Sequence, residues 1–443
     1  MISSIDFFLL LLSVVSITTS VSYLKVGYNR KELAAPGYVL IFLTCIHFLI
    51  PGLLIGLGYY QLENIINEKY IHTALFYLLI LVIAIIAGAY LSKIFNGFDN
   101  RFTKRQWKDR NLVIVIIILL VAAWTARYHV IDSSSYLQME RSNKSISGPW
   151  YAFIRMFEVF PLHVITILSI RYWRDNAYKN RFFQVALFTI ILLDIVYWGV
   201  AGRKENILLT FLIPIFTMYV LQKRIPKKPA ILFILFTLIV FPLISIYRSL
   251  LTLGVDVSEN IGEIFFVLSS PELIFQNENI GVNVLNRISL LGSLSASIRL
   301  IQDNIWDLFL GTSYFSVLIG IIPRFLWPTK PEFHYGGEFG RDAGFIASTD
   351  YLTSISVTYF GESYLNFSFF GVIVLLLMSF SFSWLYKKHK TSKHSETWML
   401  CYLIALPSIL YIGGTFSLYI GSLLKIIPFY YVLGRIMEGK KIE

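Results

Sequence analysis

Two prolines bracket an aromatic, basic turn at Ile322-Pro323-Arg324-Phe325-Leu326-Trp327-Pro328-Thr329-Lys330-Pro331, and His334 follows it. A run so rich in proline cannot continue a membrane helix, because each ring removes a backbone donor and clashes with the turn before it. Arg324 and Lys330 are fixed cations, and a histidine such as His334 titrates close to neutrality. Cations held beside an indole on a rigid turn suit a ligand that is negative at one end and apolar at the other. A lipid-linked phosphate has that character. Arg324 is then the first phosphate contact and Lys330 a second cation. A plainer reading stands beside it: Arg324 snorkels next to a Trp anchor, while Lys330 and His334 simply face water.

The rest of the chain predicts a scaffold that holds this turn at a membrane surface. Of its 443 residues 56% are hydrophobic and only 15% charged, and the mean hydropathy is +0.65. That is far too apolar for an ordinary water-soluble domain. An all-α, polytopic protein is expected, with about eleven transmembrane helices near 3–23, 35–58, 71–92, 111–131, 149–170, 182–201, 205–222, 229–247, 367–386, 397–415 and 417–436. Basic residues gather in alternate loops, around 25–31, 93–110, 171–181, 223–228 and 387–393, and in the tail after Arg435. By the positive-inside rule those loops are cytoplasmic, which puts the N-terminus outside and the C-terminus in the cytoplasm. The formal charge of +11 is accounted for in that way and does not call for a nucleic-acid partner. The first segment lacks the basic start and small-residue cleavage pattern of a signal peptide. Cys45 and Cys401 both fall in apolar segments and imply neither a disulfide framework nor a metal cluster.

This topology divides one integrated membrane domain into helices 1–8 (residues 1–247), a large external loop (248–366) and helices 9–11 with a cytoplasmic tail (367–443). Within the loop, 261–274 and 285–301 read as amphipathic helices, the second carrying Arg287 and Arg299. Residues 308–322 read as a short apolar helix at the bilayer surface. The glycine-rich tract from Tyr335 to Gly344 is expected to approach a ligand closely or to act as a lid. Its Arg341 either binds phosphate or pairs with Asp342 or Glu338. Arg203 and Lys204 occupy a short external turn where the positive-inside rule disfavours them, so they bind anions or cap helix carbonyls. Inside the spans, Arg155, Glu158 and Asp194 must face a cavity or each other. Arg155 and Glu158, three residues apart, share a helix face and suit an ion pair. Lys425 has similar standing, and His47 and His163 read as hydrogen-bonded interior histidines.

The Pro-Arg-x-x-Trp-Pro-x-Lys-Pro turn is followed some thirty residues later by Gly361-Glu362-Ser363-Tyr364-Leu365-Asn366-Phe367. Together they resemble the oligosaccharide repeat-unit polymerases, the Wzy-type enzymes of O-antigen and capsule synthesis. The Gly202-Arg203-Lys204-Glu205 turn is similar to that family's external Gly-Arg turn. Ser368 stands where many members carry a glycine. The resemblance implies a bacterial inner-membrane glycosyltransferase of lipopolysaccharide or capsular polysaccharide biosynthesis, with its active site on the external face. Its partners would be undecaprenyl-diphosphate-linked oligosaccharides and a chain-length regulator in the same bilayer, and it would need no metal or other cofactor. His334, Arg324, Arg203 and Glu362 would be catalytic, and Lys330, Arg341, Lys204, Tyr364 and Arg299 would bind substrate. For Glu362 a helix-dipole role is the alternative. Two other functions fit a basic polytopic chain: an O-antigen ligase that transfers polymer to lipid A core, and a lipid-linked oligosaccharide flippase or other transporter. No sequence here resembles a channel's selectivity filter.

Overall fold

In lipid the backbone has no water to bond to, so long apolar runs fold as helices that satisfy their own amides and carbonyls. The computed structural model describes residues 6–58, 68–95, 105–132, 153–174, 181–201, 203–224, 231, 289–322, 326–327, 329, 335–351 and 353–438. Among them the protein is all-helical, and nine helical segments are long and apolar enough to cross a membrane. The apolar segment expected at 229–247 lies almost wholly outside the described residues, as do the amphipathic segment at 261–274 and Arg287. The one expected at 397–415 is a shorter helix, Ser395–Leu410.

The chain forms two compact units. The first comprises Met1–Arg105, Gly281–Ile322 and Thr329–Val432. Its helices are α1 (Phe7–Asn29), α2 (Pro36–Thr44), α3 (Ile50–Gly56) and α4 (Glu68–Ile94). The second comprises Gln106–Ile280, Pro323–Pro328 and Leu433–Glu443, with α5 (Asp109–Asp132), α6 (Phe160–Arg174), α7 (Arg181–Val200) and α8 (Lys204–Gln222). The first unit then resumes with α9 (Leu291–Gln302), α10 (Thr312–Ile321), α11 (Gly336–Asp342), α12 (Thr358–Phe367), α13 (Val372–Thr391), α14 (Ser395–Leu410) and most of α15 (Phe416–Met437).

In the first unit α4 packs most extensively on α13. The contact is close because Gly88 has no side chain: a Cβ there would run into the Leu376 carbonyl. Ser379 Oγ donates to the Ile85 carbonyl at 2.7 Å across the same crossing, a small-residue contact of the kind that brings membrane helices together. α1 is capped by Asp6, whose Oδ1 accepts from the Phe8 and Leu9 amides at 3.0 Å each. Its exposed face is mostly apolar, with Phe7, Leu11, Val14 and Val21 exposed. Between α2 and α3 the chain makes one π turn, Cys45–Leu49. Pro51 has no N–H, so the carbonyl four residues back, that of His47, loses its ordinary helical donor. It accepts the Leu290 N–H at 2.9 Å instead, which fixes the residue just before α9.

Two expectations are corrected here. The helix expected to begin at 367 starts at Thr358 and is broken at Ser368, whose φ is +52°. A 3-10 turn, Ser368–Gly371, then leads into α13. The glycine tract 335–344 is no open lid: most of it is the helix α11, and its glycines let it approach its own chain. A Cβ on Gly336 would meet the Ile355 carbonyl at 2.8 Å, and one on Gly340 would meet Ile355 and Ile346 side chains at 2.8 and 2.9 Å. Phe339 of α11 and Ala343 just after it join Ala296, Leu300, Val357 and Leu365 in one buried cluster. The amphipathic helix expected at 285–301 is α9, and the short apolar helix expected at 308–322 is α10.

Candidate functional site

Arg324, Lys330 and His334 lie outside the described residues, as does Gly202. The other expected residues fall into two separate clusters, one in each unit.

In the first unit Glu362 sits in the second turn of α12 and has no solvent exposure. Its Oε1 accepts from Ser313 Oγ at 2.8 Å, and its Oε2 accepts from the Ser417 amide at 3.4 Å. Asn366, one turn on, donates to Ser313 Oγ at 2.7 Å and to the Glu362 carbonyl at 2.8 Å. Its own side-chain carbonyl takes the Gly311 amide at 3.0 Å. The carboxylate thus ties α12 to α10 and to the start of α15, using a side-chain hydroxyl and a first-turn amide of α15 and not the first-turn amides of its own helix. Tyr335 faces the same carboxylate, through a geometry too poor for a regular hydrogen bond. Burial, and next the Glu362 charge, raise the Tyr335 hydroxyl well above its ordinary value; Tyr314 is raised by the same two causes. Both phenols therefore stay protonated and act as hydrogen-bonding hydroxyls, not as proton donors in a reaction.

The remaining expected residues of this unit hold the fold. Tyr364 is buried edge-on against Tyr77 and Phe369, with ring centroids 5.2 and 5.7 Å away. Its neighbour Ser363 shares a 2.8 Å hydrogen bond with the Tyr77 hydroxyl. Arg299 donates to the Asp342 carbonyl at 3.0 Å, while the Asp342 carboxylate takes the Trp306 indole N–H at 2.8 Å. Arg341 does not pair with Asp342 or Glu338: it caps the Asp350 carbonyl at 3.0 Å and lies 4.5 Å from the Tyr351 ring centre. These two arginines fasten the end of α11 and the chain that follows it as far as Asp350.

The second unit contains a buried ionic network that the sequence showed only in part. Arg155 and Glu158 pair at 3.7 Å, as their spacing suggests. The fully buried Asp194 pairs with Arg127 of α5 and accepts Thr210 Oγ1 of α8 at 2.6 Å. Arg127 Nε donates to the Glu158 carbonyl at 3.1 Å, and the Tyr197 hydroxyl donates to Glu158 Oε1 at 2.6 Å. The Arg127 guanidinium also stacks over Tyr197, 4.0 Å from the ring centre, with Trp124 and Trp198 at 5.2 and 5.3 Å. Arg203 lies against the same Trp198, at 5.8 Å. Arg203 is the N-cap of α8, and Lys204 is that helix's first residue.

Arg127 is the residue that sequence reasoning missed. The signal was present, since an arginine within an apolar segment at 111–131 is costly in hydrocarbon and marks a polar interior. It lacked any nearby acid to draw attention to it. Chemically, the second cluster offers guanidinium groups set on aromatic faces, a chemistry suited to anions. The first offers a shielded acid and two phenols. No protein-family model, no curated protein and no solved structure matches the chain.

Proposed function

We propose that this chain is a membrane glycosyltransferase that polymerises undecaprenyl-diphosphate-linked oligosaccharide repeat units into O-antigen or capsular polysaccharide. The growing glycan moves to the non-reducing end of a fresh lipid-linked unit. The acceptor hydroxyl oxygen bonds to the donor's anomeric carbon as the bond from that carbon to the diphosphate oxygen breaks. The electron pair leaves with the lipid diphosphate, and the acceptor's proton passes to a base, for which His334 is the choice. Negative charge grows on the leaving group, and arginines neutralise it without changing protonation. The observation that carries this reading is the set of guanidinium groups, Arg127, Arg155 and Arg203, placed with two tryptophans, a tyrosine and the carboxylates of Glu158 and Asp194 inside a largely apolar helical unit. The turn at 322–331 supports it with a further arginine and lysine next to Trp327. Glu362 is a positioning residue that ties α10, α12 and α15 together. The site belongs on the external face of a bacterial inner membrane, because the basic loops lie on the other side.

Deleting the gene in its host and separating the surface polysaccharide on a gel tests the reading. Collapse of a long ladder to a single repeat unit is expected. Polymer retained on undecaprenyl diphosphate would assign a ligase, and single units trapped on the cytoplasmic side a flippase. Complementation with Arg203→Ala or Arg324→Ala should fail to restore long chains while the protein still inserts; normal ladders from both would remove the phosphate-clamp mechanism.

A further inference from the structure

The C-terminal ends of α6 and α8 meet around an open cavity of about 410 Å³, lined by Trp173, Arg174, Leu221, Gln222 and Arg224. By the positive-inside rule this is the cytoplasmic surface of the second unit. The last four carbonyls of a helix have no helical donor. Gln222 Nε2 donates to one of them, the Trp173 carbonyl, at 3.1 Å, and so ties the end of α8 to the end of α6. Lys223 then closes α8 in a left-handed conformation, with φ +56°, which turns the chain out of the helix just before Arg224.

The charge at this end is one-sided. Arg224 is exposed and makes no ion pair or hydrogen bond among the described residues. The acid that α5 brings here, Asp109, is engaged by Arg171 at 2.7 Å. The stretches 171–181 and 223–228 hold eight basic residues against one acid, Asp175. Cations suit the negative ends of helices in any case, which accounts for Arg174 as the last residue of α6. A dipole accounts neither for the open space between the two helices nor for its mixed lining. Trp173 and Leu221 give that space an apolar wall beside the two guanidinium groups. A ligand that uses both is anionic at its head, apolar next to it, and lies at a membrane surface, where an indole sits readily. Guanidinium forks recognise phosphate in particular.

We propose that this cavity binds the phosphate headgroup of an anionic phospholipid. Arg224 and Arg174 donate to the phosphate oxygens, while Trp173 and Leu221 pack against the glycerol and the first methylenes. The site is separate from the reaction proposed above and does not rest on it. The 19 residues of α8 extend about 28 Å, and Arg203 stands at the other end of that helix.

Native mass spectrometry of the full chain, released from dodecyl maltoside micelles, counts bound lipids and gives their affinities. One phosphatidylglycerol should bind about tenfold or more tighter than phosphatidylcholine, since each arginine contributes about fivefold, equivalent to about 1 kcal/mol. Arg224→Gln should therefore weaken phosphatidylglycerol about fivefold. Lys25→Gln removes the same charge from an exposed position in the first unit and should leave the affinity unchanged. Leu221→Trp fills the cavity at constant charge and should weaken binding at least as much as Arg224→Gln. No preference for phosphatidylglycerol overturns the proposal. Equal weakening by Arg224→Gln and Lys25→Gln, or wild-type affinity in a folded Leu221→Trp, also overturns it, because a diffuse field then holds the lipid. Melting temperatures within a few degrees of the wild type show that the variants fold; if Leu221→Trp does not, the contrast of Arg224→Gln with Lys25→Gln decides alone. Glycerol phosphate, the headgroup without its chains, separates the two sources of phosphate. Retention of phosphatidylglycerol against an equal concentration of it supports the lipid site, and displacement gives the cavity to a soluble phosphate ester and overturns the lipid assignment.

Discussion

Replacing Asp194 by alanine isolates what holds Arg127 inside the bundle. The change removes the acceptor of Arg127 Nη2 and also the acceptor of Thr210 Oγ1. The threonine is a minor loss, because its hydroxyl also bonds the Asn206 carbonyl at 2.9 Å and hydrogen bonds inside membrane proteins average about 0.6 kcal/mol. The arginine matters more, since it has no exposure through which to rehydrate. Breaking a buried pair from one side costs about 3–5 kcal/mol, so the stranded charge dominates the result. Equilibrium unfolding of the purified protein in mixed dodecyl maltoside and dodecyl sulfate micelles measures it. Asp194→Ala should lose about 3–5 kcal/mol. The paired variant Arg127→Met/Asp194→Leu should recover most of that, less the cation–π contribution of Tyr197, which is about 2 kcal/mol when desolvated. A loss below about 1 kcal/mol for the single variant would mean that Arg127 is not stranded in a dry interior. A paired variant less stable than the single one would refute the ion-pair reasoning outright.

Glu362→Ala should lose about 2–4 kcal/mol in the same assay, since it orphans the Ser417 amide, frees Ser313 and leaves a cavity; a loss under about 0.5 kcal/mol would remove its role as a tie. Gly88→Ala pushes a methyl into the Leu376 carbonyl and should cost about 1–3 kcal/mol, with unchanged stability counting against the close α4–α13 crossing. The Asp6 carboxyl gives a pH dependence. Burial pushes it up, but the Leu9 amide, the His72 ring and the Phe8 amide outweigh burial and hold it below its ordinary 3.8. Its stabilisation of the start of α1 is therefore fully present above 3.8 and is lost as pH falls through the lower folded value. The protection of the Phe8 and Leu9 amides from hydrogen exchange, taken against an unstructured chain at the same pH, should hold from neutrality to about pH 5 and fall only under strong acid; no protection at neutral pH would refute the cap.

The helices were legible because an apolar run long enough to cross a bilayer has little choice of structure. Where the sequence carried a local rule, the side chains followed it: Arg155 and Glu158, three apart, do pair. Where partners are distant in the chain, no local rule applied. Asp194 meets Arg127 from 67 residues away, and Glu362 meets Ser313 and Ser417 from 49 and 55 away. The glycines of 336–344 were legible as sites of close approach, but composition does not say what approaches, and the answer was the chain itself. Tyr364 and Arg341 were read as ligand contacts because aromatic and basic residues suit sugars and phosphates. The same properties suit edge-on packing and carbonyl capping, and packing claimed them here.

The proline at 51 has a meaning that reaches beyond its own helix. By withholding one N–H it releases the His47 carbonyl for Leu290, far along the chain. Positions 51 and 290 are thereby coupled through an atom that belongs to neither. A helix defect acts in this case as an address, telling a remote segment where to dock. Restoring the helix at that point, with any residue that carries an amide hydrogen, would set two donors competing for one oxygen. Variation at 51 in relatives of this chain should thus be felt first as freedom in the connection before α9, and only second as a change in the helix that carries it.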